Sequence, residues 1–184
     1  MSAAGDPQLP GRDRPAHGAL IRQARAQDIP ALLEMFAELA EYEHLTDELR
    51  ATEPQLQSAL FGPEPAAQAL IAELESSGAI VGYALFFGTF SSFLASSGVW
   101  LEDLFVCPSQ RRFGVGRALL LAVAALALKR GAGRLEWSAL EWNEPALRFY
   151  EALGAHKMPE WIPHRLTGGD LERLANQGLG AHTC

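Results

Sequence analysis

The chain has 184 residues, 48% hydrophobic and 20% charged, the composition of one globular domain large enough to bury a sizeable core. Its 22 acidic against 15 basic residues leave a formal net charge of −7, which counts against nucleic acid or an acidic membrane surface as partner and favours a cationic one. Two cysteines, Cys107 and Cys184, make no disulfide framework, and five scattered histidines lack ligand spacing, so no metal site is expected and the expected compartment is the reducing cytoplasm.

In chain order, residues 1–18 hold Pro7, Pro10, Pro15, Gly5 and Gly11 with balanced charge, a pattern of a disordered tail rather than a signal peptide. The structured domain is expected over 19–176, with a polar tail at 177–184. A strand at 20–24 is followed by Ile29, Leu32, Leu33, Phe36 and Ala40 at helical spacing, which predicts a first helix over about 27–43. Thr52 with Gln55 three residues later is a capping box, Pro54 suits a first turn and Gly62 a stop, so 53–61 reads as a second helix. Strands at 69–74 and 80–90 flank the turn residues Ser76, Ser77 and Gly78 as an antiparallel hairpin, and 91–98 reads as a loop. Beyond the central stretch, a strand at 134–140, a helix at 143–153 with Pro145 in its first turn, a strand near 161–166 and a terminal helix to about 175 complete the pattern. The longest uncharged apolar run, 118–128, falls well short of the roughly 18 residues of a membrane span and reads as a buried helix.

The chemistry concentrates at 100–117. A strand carrying Glu102 and Asp103 and closing with Leu104, Phe105 and Val106 leads to the turn Arg111, Arg112, Phe113, Gly114, Val115, Gly116, and then to a helix from Arg117. Two glycines before a helix allow a sharp turn and leave the first helical amides facing open space, an arrangement that suits an anion, with Arg111 and Arg112 adding charge. A Lys-Ser/Thr pair after the second glycine is missing, which argues against a nucleotide-hydrolysing loop, and the spacing misses the three-glycine dinucleotide fingerprint. A pyrophosphate in another setting remains.

Arg-x-x-Gly-x-Gly after a strand resembles the acetyl-CoA loop of the GNAT superfamily of N-acetyltransferases. Leu101-Glu102-Asp103-Leu104-Phe105-Val106, the stretch from Glu141 to Tyr150 and Glu41-Tyr42-Glu43 resemble the branch of diamine (spermidine/spermine) acetyltransferases and their thialysine-acetylating relatives. The resemblance covers roughly residues 20 to 175. It implies an α+β GNAT fold, a mixed and mostly antiparallel sheet flanked by helices, in which strands four and five splay apart to admit the pantetheine arm. It also implies acetyl-CoA as cosubstrate, a small cationic amine as acceptor, and a homodimer.

An amine with a pKa near 10.4 is neutral in only about one molecule in two thousand at pH 7, and attack on a thioester needs the neutral form. The site therefore requires a proton acceptor, donors for the developing oxyanion and an acid for the departing thiolate. By resemblance, Glu102 is the expected acceptor, acting through a water, and Tyr150 the expected acid; the alternatives are a structural Glu102 paired with an arginine and a core Tyr150. Cofactor contacts are expected from Leu104, Phe105 and Val106, from Arg111, Arg112, Phe113, Gly114, Val115, Gly116 and Arg117, and from Asn143, Glu144, Pro145, Ala146 and Tyr150. The acceptor amine is expected against Tyr42, Glu43, Glu102, Glu136, Trp137, Ser138 and Glu160, with Asp103 turned to the opposite face from Glu102. Two departures stand out: Arg112 replaces a glycine of the diamine enzymes, and Glu136, Trp137 and Ser138 match in position rather than identity. The function implied is transfer of acetyl to a polyamine, diamine or lysine-like amine; alternatives are another amine (thialysine, a further amino acid or a protein amine) and a non-catalytic acetyl-CoA sensor.

Overall fold

In the computed structural model, which describes residues 18–179, strand β1 (Ala19–Gln23) leads through a 3-10 turn (Ala26–Asp28) into helix α1 (Ile29–Tyr42). Asp28 is buried there: Arg22 donates to its two oxygens at 2.7 and 2.9 Å, the Arg25 backbone N–H donates at 2.7 Å, and Arg22 Nε reaches Glu73 at 2.6 Å. The first turn of the predicted helix is therefore tightened by an ion pair rather than capped from the surface. Helix α2 (Glu53–Phe61) begins at the expected capping box, with the Thr52 N–H donating to Gln55 Oε1 at 3.0 Å.

Strands β2 (Gln68–Leu74), β3 (Ile80–Ser91) and β4 (Ser96–Val106) form an antiparallel meander with β1, and β5 (Leu135–Trp137) joins β4 in parallel, in the order β1-β2-β3-β4-β5. The mixed, mostly antiparallel sheet is the one expected. The loop expected at 91–98 shrinks to 92–95, because Ser96 and Ser97 pair with Ser91 and Phe90 and a left-handed Ala95 (φ 47°) closes the turn. Strand β5 is shorter than the predicted 134–140. No strand forms at 161–166: the Trp161 N–H turns back to Met158 C=O, and Pro159 and Pro163 remove ladder donors on either side.

The layers follow from side-chain alternation. Ala69, Ile71, Tyr83 and Phe105 point to one face, where they pack with Ile29, Leu32 and Met35 of α1 and Leu56 and Leu60 of α2. The other face is covered by α3 (Val115–Lys129); a Cβ placed on Gly82 would touch Leu119 Cδ1 at 3.4 Å. Each large apolar side chain so buried contributes about 1.5–3 kcal/mol.

The chain divides into two compact units at Ser138/Ala139. The first holds the sheet and α1 to α3; the second holds α4 (Glu144–Ala152) and α5 (Gly168–Leu179), which runs beyond the predicted end at 175. The tail expected at 1–18 lies, apart from Gly18, outside the described residues, as do residues 180–184 of the expected C-terminal tail.

Candidate active site

The site begins where the regular sheet ends. On one side, β4 pairs with β5 only through Val99↔Leu135, Trp100↔Glu136 and Leu101↔Trp137, so from Glu102 to Val106 its outer edge has no strand partner among the described residues. On the other side the register jumps at the same residue: Asp103 lies opposite Leu85 and Leu101 opposite Phe86, which leaves Glu102 as the extra residue of a β-bulge. Two successive residues of β3 face opposite ways, so Leu101 and Asp103 do too. Leu101 is buried with Phe86, and Asp103 joins Leu85, Tyr83 and Phe105 on the α1 side.

The bulge breaks the alternation on which the expected placement of Asp103, on the opposite face from Glu102, rested, and Asp103 lies on the α1 side. Asp103 accepts a hydrogen bond from the Tyr83 hydroxyl at 3.3 Å, and Tyr83 is itself fully buried. Burial pushes the Asp103 carboxyl up, the Glu102 charge pushes it further, the Tyr83 hydrogen bond pulls part way back and the Glu43 charge adds to the rise, leaving it at about 6. Burial also raises Glu43, at the end of α1. Burial, then the Asp103 charge and hydrogen bond, and finally Glu43 raise the Tyr83 hydroxyl strongly. Glu102 is exposed and accepts the Trp100 indole N–H at 2.9 Å. Glu43, Glu102 and Asp103 thus share one electrostatic neighbourhood, and the part that sequence reasoning missed is Tyr83, which holds Asp103. The only signal was a tyrosine at an inward position of the hairpin strand.

The turn after β4 has the shape the glycines suggested. Gly114 sits at φ 84° and starts α3, whose first amides have no carbonyl one turn earlier within the helix. A Cβ on Gly116 would meet only Val106 Cγ2 at 3.6 Å, ordinary contact, so packing within the chain does not require a glycine there. Arg112, the residue in place of a glycine, adopts a left-handed φ of 69°. Arg111 folds inward: its Nε donates to Val106 C=O at 2.9 Å and its guanidinium stacks 5.1 Å from the Tyr42 ring centre and 5.7 Å from that of Phe105. Tyr42 and Arg111, one expected at the amine and the other at the cofactor, are therefore in contact.

The remaining expected residues divide between the units. Glu136 on β5 is half-exposed and pairs with Arg134 at 2.6 Å; Trp137 ends β5, and Ser138 is exposed just beyond. In the second unit, Asn143 caps α4 by accepting the Ala146 N–H at 3.3 Å, Pro145 lies in the first turn and Glu144 pairs with Arg148 at 2.8 Å. Tyr150 lies on α4, half-buried, with its ring 5.2 Å from that of Phe149. Glu160 is exposed in the irregular segment before α5. Among the described residues no group of three or more His, Cys, Asp or Glu is gathered to hold a metal, and no helix is long and apolar enough to cross a membrane.

Residues 29–155 match the model of the Acetyltransferase (GNAT) family. The chain belongs to the GNAT family of acetyltransferases. This GNAT enzyme transfers an acetyl group from acetyl-CoA to an amine. It is similar to thialysine N-epsilon-acetyltransferase of Mus musculus, 34% identical over 85% of this chain and 97% of the mouse protein. It is also similar to L-ornithine N5-acetyltransferase of Arabidopsis thaliana, 32% identical over 84% of this chain and 86% of the plant protein. Among solved structures, an integron cassette protein from the mobile metagenome of V. cholerae superposes with a TM-score of 0.72, at 27% identity, over 86% of this chain and 98% of that one.

Proposed function

We propose that this GNAT enzyme acetylates a primary amine of a small substrate carrying two or more positive charges, either a lysine-like diamine or a polyamine. The observation that carries this reading is the group Glu43, Glu102 and Asp103: burial raises Asp103 most, the charges of Glu102 and Glu43 add to it, and a polycation relieves that repulsion. A monoamine relieves less of it, and an acidic amine adds to it. Thialysine and ornithine, named for the two relatives, are basic amino acids with two amino groups, in keeping with the charge demand.

Acetyl-CoA fits the remaining features. The left-handed Gly114 and the uncrowded Gly116 leave the α3 N-terminus open for a pyrophosphate, with Arg112 and Arg117 close in sequence, and the β4 edge from Leu104 to Val106, which has no strand partner among the described residues, offers backbone groups to the pantetheine arm. Glu43 and Glu102 hold the ammonium group. The amine nitrogen attacks the thioester carbonyl directly, the C–S bond breaks, and Tyr150 is assigned the proton delivered to the departing sulfur.

Release of coenzyme A from acetyl-CoA with a panel of amines tests this. The expected order of kcat/KM is thialysine, ornithine or spermidine first, simple monoamines next and glutamate last, each well-placed charge pair adding about 5- to 30-fold. Raising salt from about 0.05 to 0.5 M should compress the order, because exposed charges are screened first. Glutamate as the best substrate at low salt would overturn the charge reading; no turnover with any amine alongside tight acetyl-CoA binding would favour a sensor. Tyr150→Phe should lower kcat about 10- to 1,000-fold with little change in acetyl-CoA affinity.

A further inference from the structure

We propose that Asp103, held by Tyr83, is the group that takes the proton from the substrate ammonium, a role that the family resemblance gives to Glu102. The inference rests on the amine-acetylation reading above and deepens it. Three features of the fold support the assignment. The bulge at Glu102 turns Asp103 onto the α1 face, where it lies half-buried opposite Leu85, on the strand whose outer edge has no partner from Glu102 to Val106 among the described residues. The fully buried Tyr83 hydroxyl donates to one oxygen, Oδ2, at 3.3 Å and so holds the carboxylate on this wall. Among the described residues no arginine, lysine or histidine is paired with Asp103, so nothing holds it permanently ionised.

Glu102 has a different place. It is exposed, and its Oε2 already accepts the Trp100 indole N–H, which suits a residue that holds a cation. The groups that face Asp103 are Glu43 from the end of α1, Tyr83 from β3 and Glu102 beside it on β4; Arg111 from the following turn stacks on Tyr42 and on Phe105 of the same wall. Burial and the two neighbouring carboxylates bring the Asp103 carboxyl to about 6. Against an amine near 10.4, that makes it about a hundredfold stronger as a base than a carboxylate at the usual value near 3.9.

The proton balance is simple. The ammonium gives one proton to Asp103, which becomes a neutral acid; the nitrogen lone pair forms the N–C bond; the C–S bond breaks with its electron pair on sulfur. The second nitrogen-bound proton leaves as the amide forms and matches the one the thiolate gains, and Asp103 returns its proton to water. Asp103 is thus the catalytic residue of this step and Tyr83 a positioning residue.

The test is kcat/KM against pH with thialysine and spermidine for the wild type and three variants, with acetyl-CoA affinity and melting temperature measured on each. The wild type should show an acid limb with its midpoint near 6. Asp103→Asn should lower kcat/KM about 100-fold or more at neutral pH and abolish that limb. Tyr83→Phe removes a hydrogen bond that lowers the Asp103 pKa and should move the limb up; Glu102→Gln removes a charge that raises it and should move the limb down. Opposite shifts from two neighbours are not what a merely structural role would give. An Asp103→Asn enzyme within about threefold of wild type, or limbs unmoved in the other two variants, would overturn the proposal while leaving N-acetylation standing. A wild type that releases coenzyme A with no amine would overturn both. Carbon-13 NMR titration of the Asp103 carboxyl in the wild-type protein needs no turnover: a midpoint near 6 supports the assignment, and one near 4 sinks it.

Discussion

Asp28 and Asp103 are carboxylates drawn into the same unit of the protein and given opposite treatment. Burial pushes Asp28 up, but the Arg22 guanidinium and the Arg25 N–H outweigh it, and its carboxyl ends below the usual range. At Asp103 burial is reinforced by Glu102 and Glu43 and opposed only by a neutral hydroxyl, so the group ends near 6. The difference teaches how desolvation is used. Where a cation follows the carboxylate inside, the result is a structural tie between β1, β2 and the start of α1; where only further carboxylates follow, the cost of burial is kept as basicity.

The largest effect should come from cutting the first tie. Arg22→Met leaves Asp28 and Glu73 without their shared cation and should cost about 3–5 kcal/mol in urea unfolding. A loss under about 1 kcal/mol would break the contrast, since Asp28 would then resemble Asp103 in standing alone. Next comes Asp103→Asn, with the sign reversed. A carboxyl whose folded pKa is raised contributes least at high pH: its stabilising proton is present below about 4 and lost as pH rises through about 6. Removing the charge should therefore stabilise the fold at pH 8 by up to about 3 kcal/mol and change little at pH 4, while activity falls. A variant that melts lower at pH 8 would show that the carboxylate is structural after all.

Asp28→Asn should run the other way, destabilising at pH 7 and progressively less in acid, because a lowered pKa gives stability that is withdrawn as pH falls through it. The smallest change is expected from Arg112→Gly. It relieves a left-handed arginine (φ 69°) at some cost in unfolded-chain entropy, for a net gain under about 1 kcal/mol. Its stability curve should run parallel to the wild type at every pH, which makes it the reference against which the two aspartates are read.

Features set by neighbours along the chain were legible before the fold was known. The Thr52–Gln55 box, the Gly114 turn and the helix after it depend on groups within a few residues of one another. The orientation of Asp103 depends on a register jump between β3 and β4, which local alternation cannot contain. The loop expected at 91–98 gives way to the cross-strand pairing of Ser96 and Ser97, and the strand expected near 161–166 is prevented by two prolines. Tyr83 was read only as part of a hairpin. Its hydroxyl acquires a meaning from a residue twenty positions away.

The bulge has a consequence for how this enzyme can change. Glu102 owes nothing to the ladder: no residue of β3 opposes it, and pairing with β5 stops one position earlier. Substitution there leaves the sheet's hydrogen bonds in place, whereas Asp103 is tied to Tyr83, and Phe105 is wedged in the core. A library randomised at 102 should yield mostly folded protein with altered amine preference, and one randomised at 105 mostly insoluble chain. If that library behaves as expected, new acceptor amines lie within single steps that leave the fold untouched, and the extra residue is where those steps are taken.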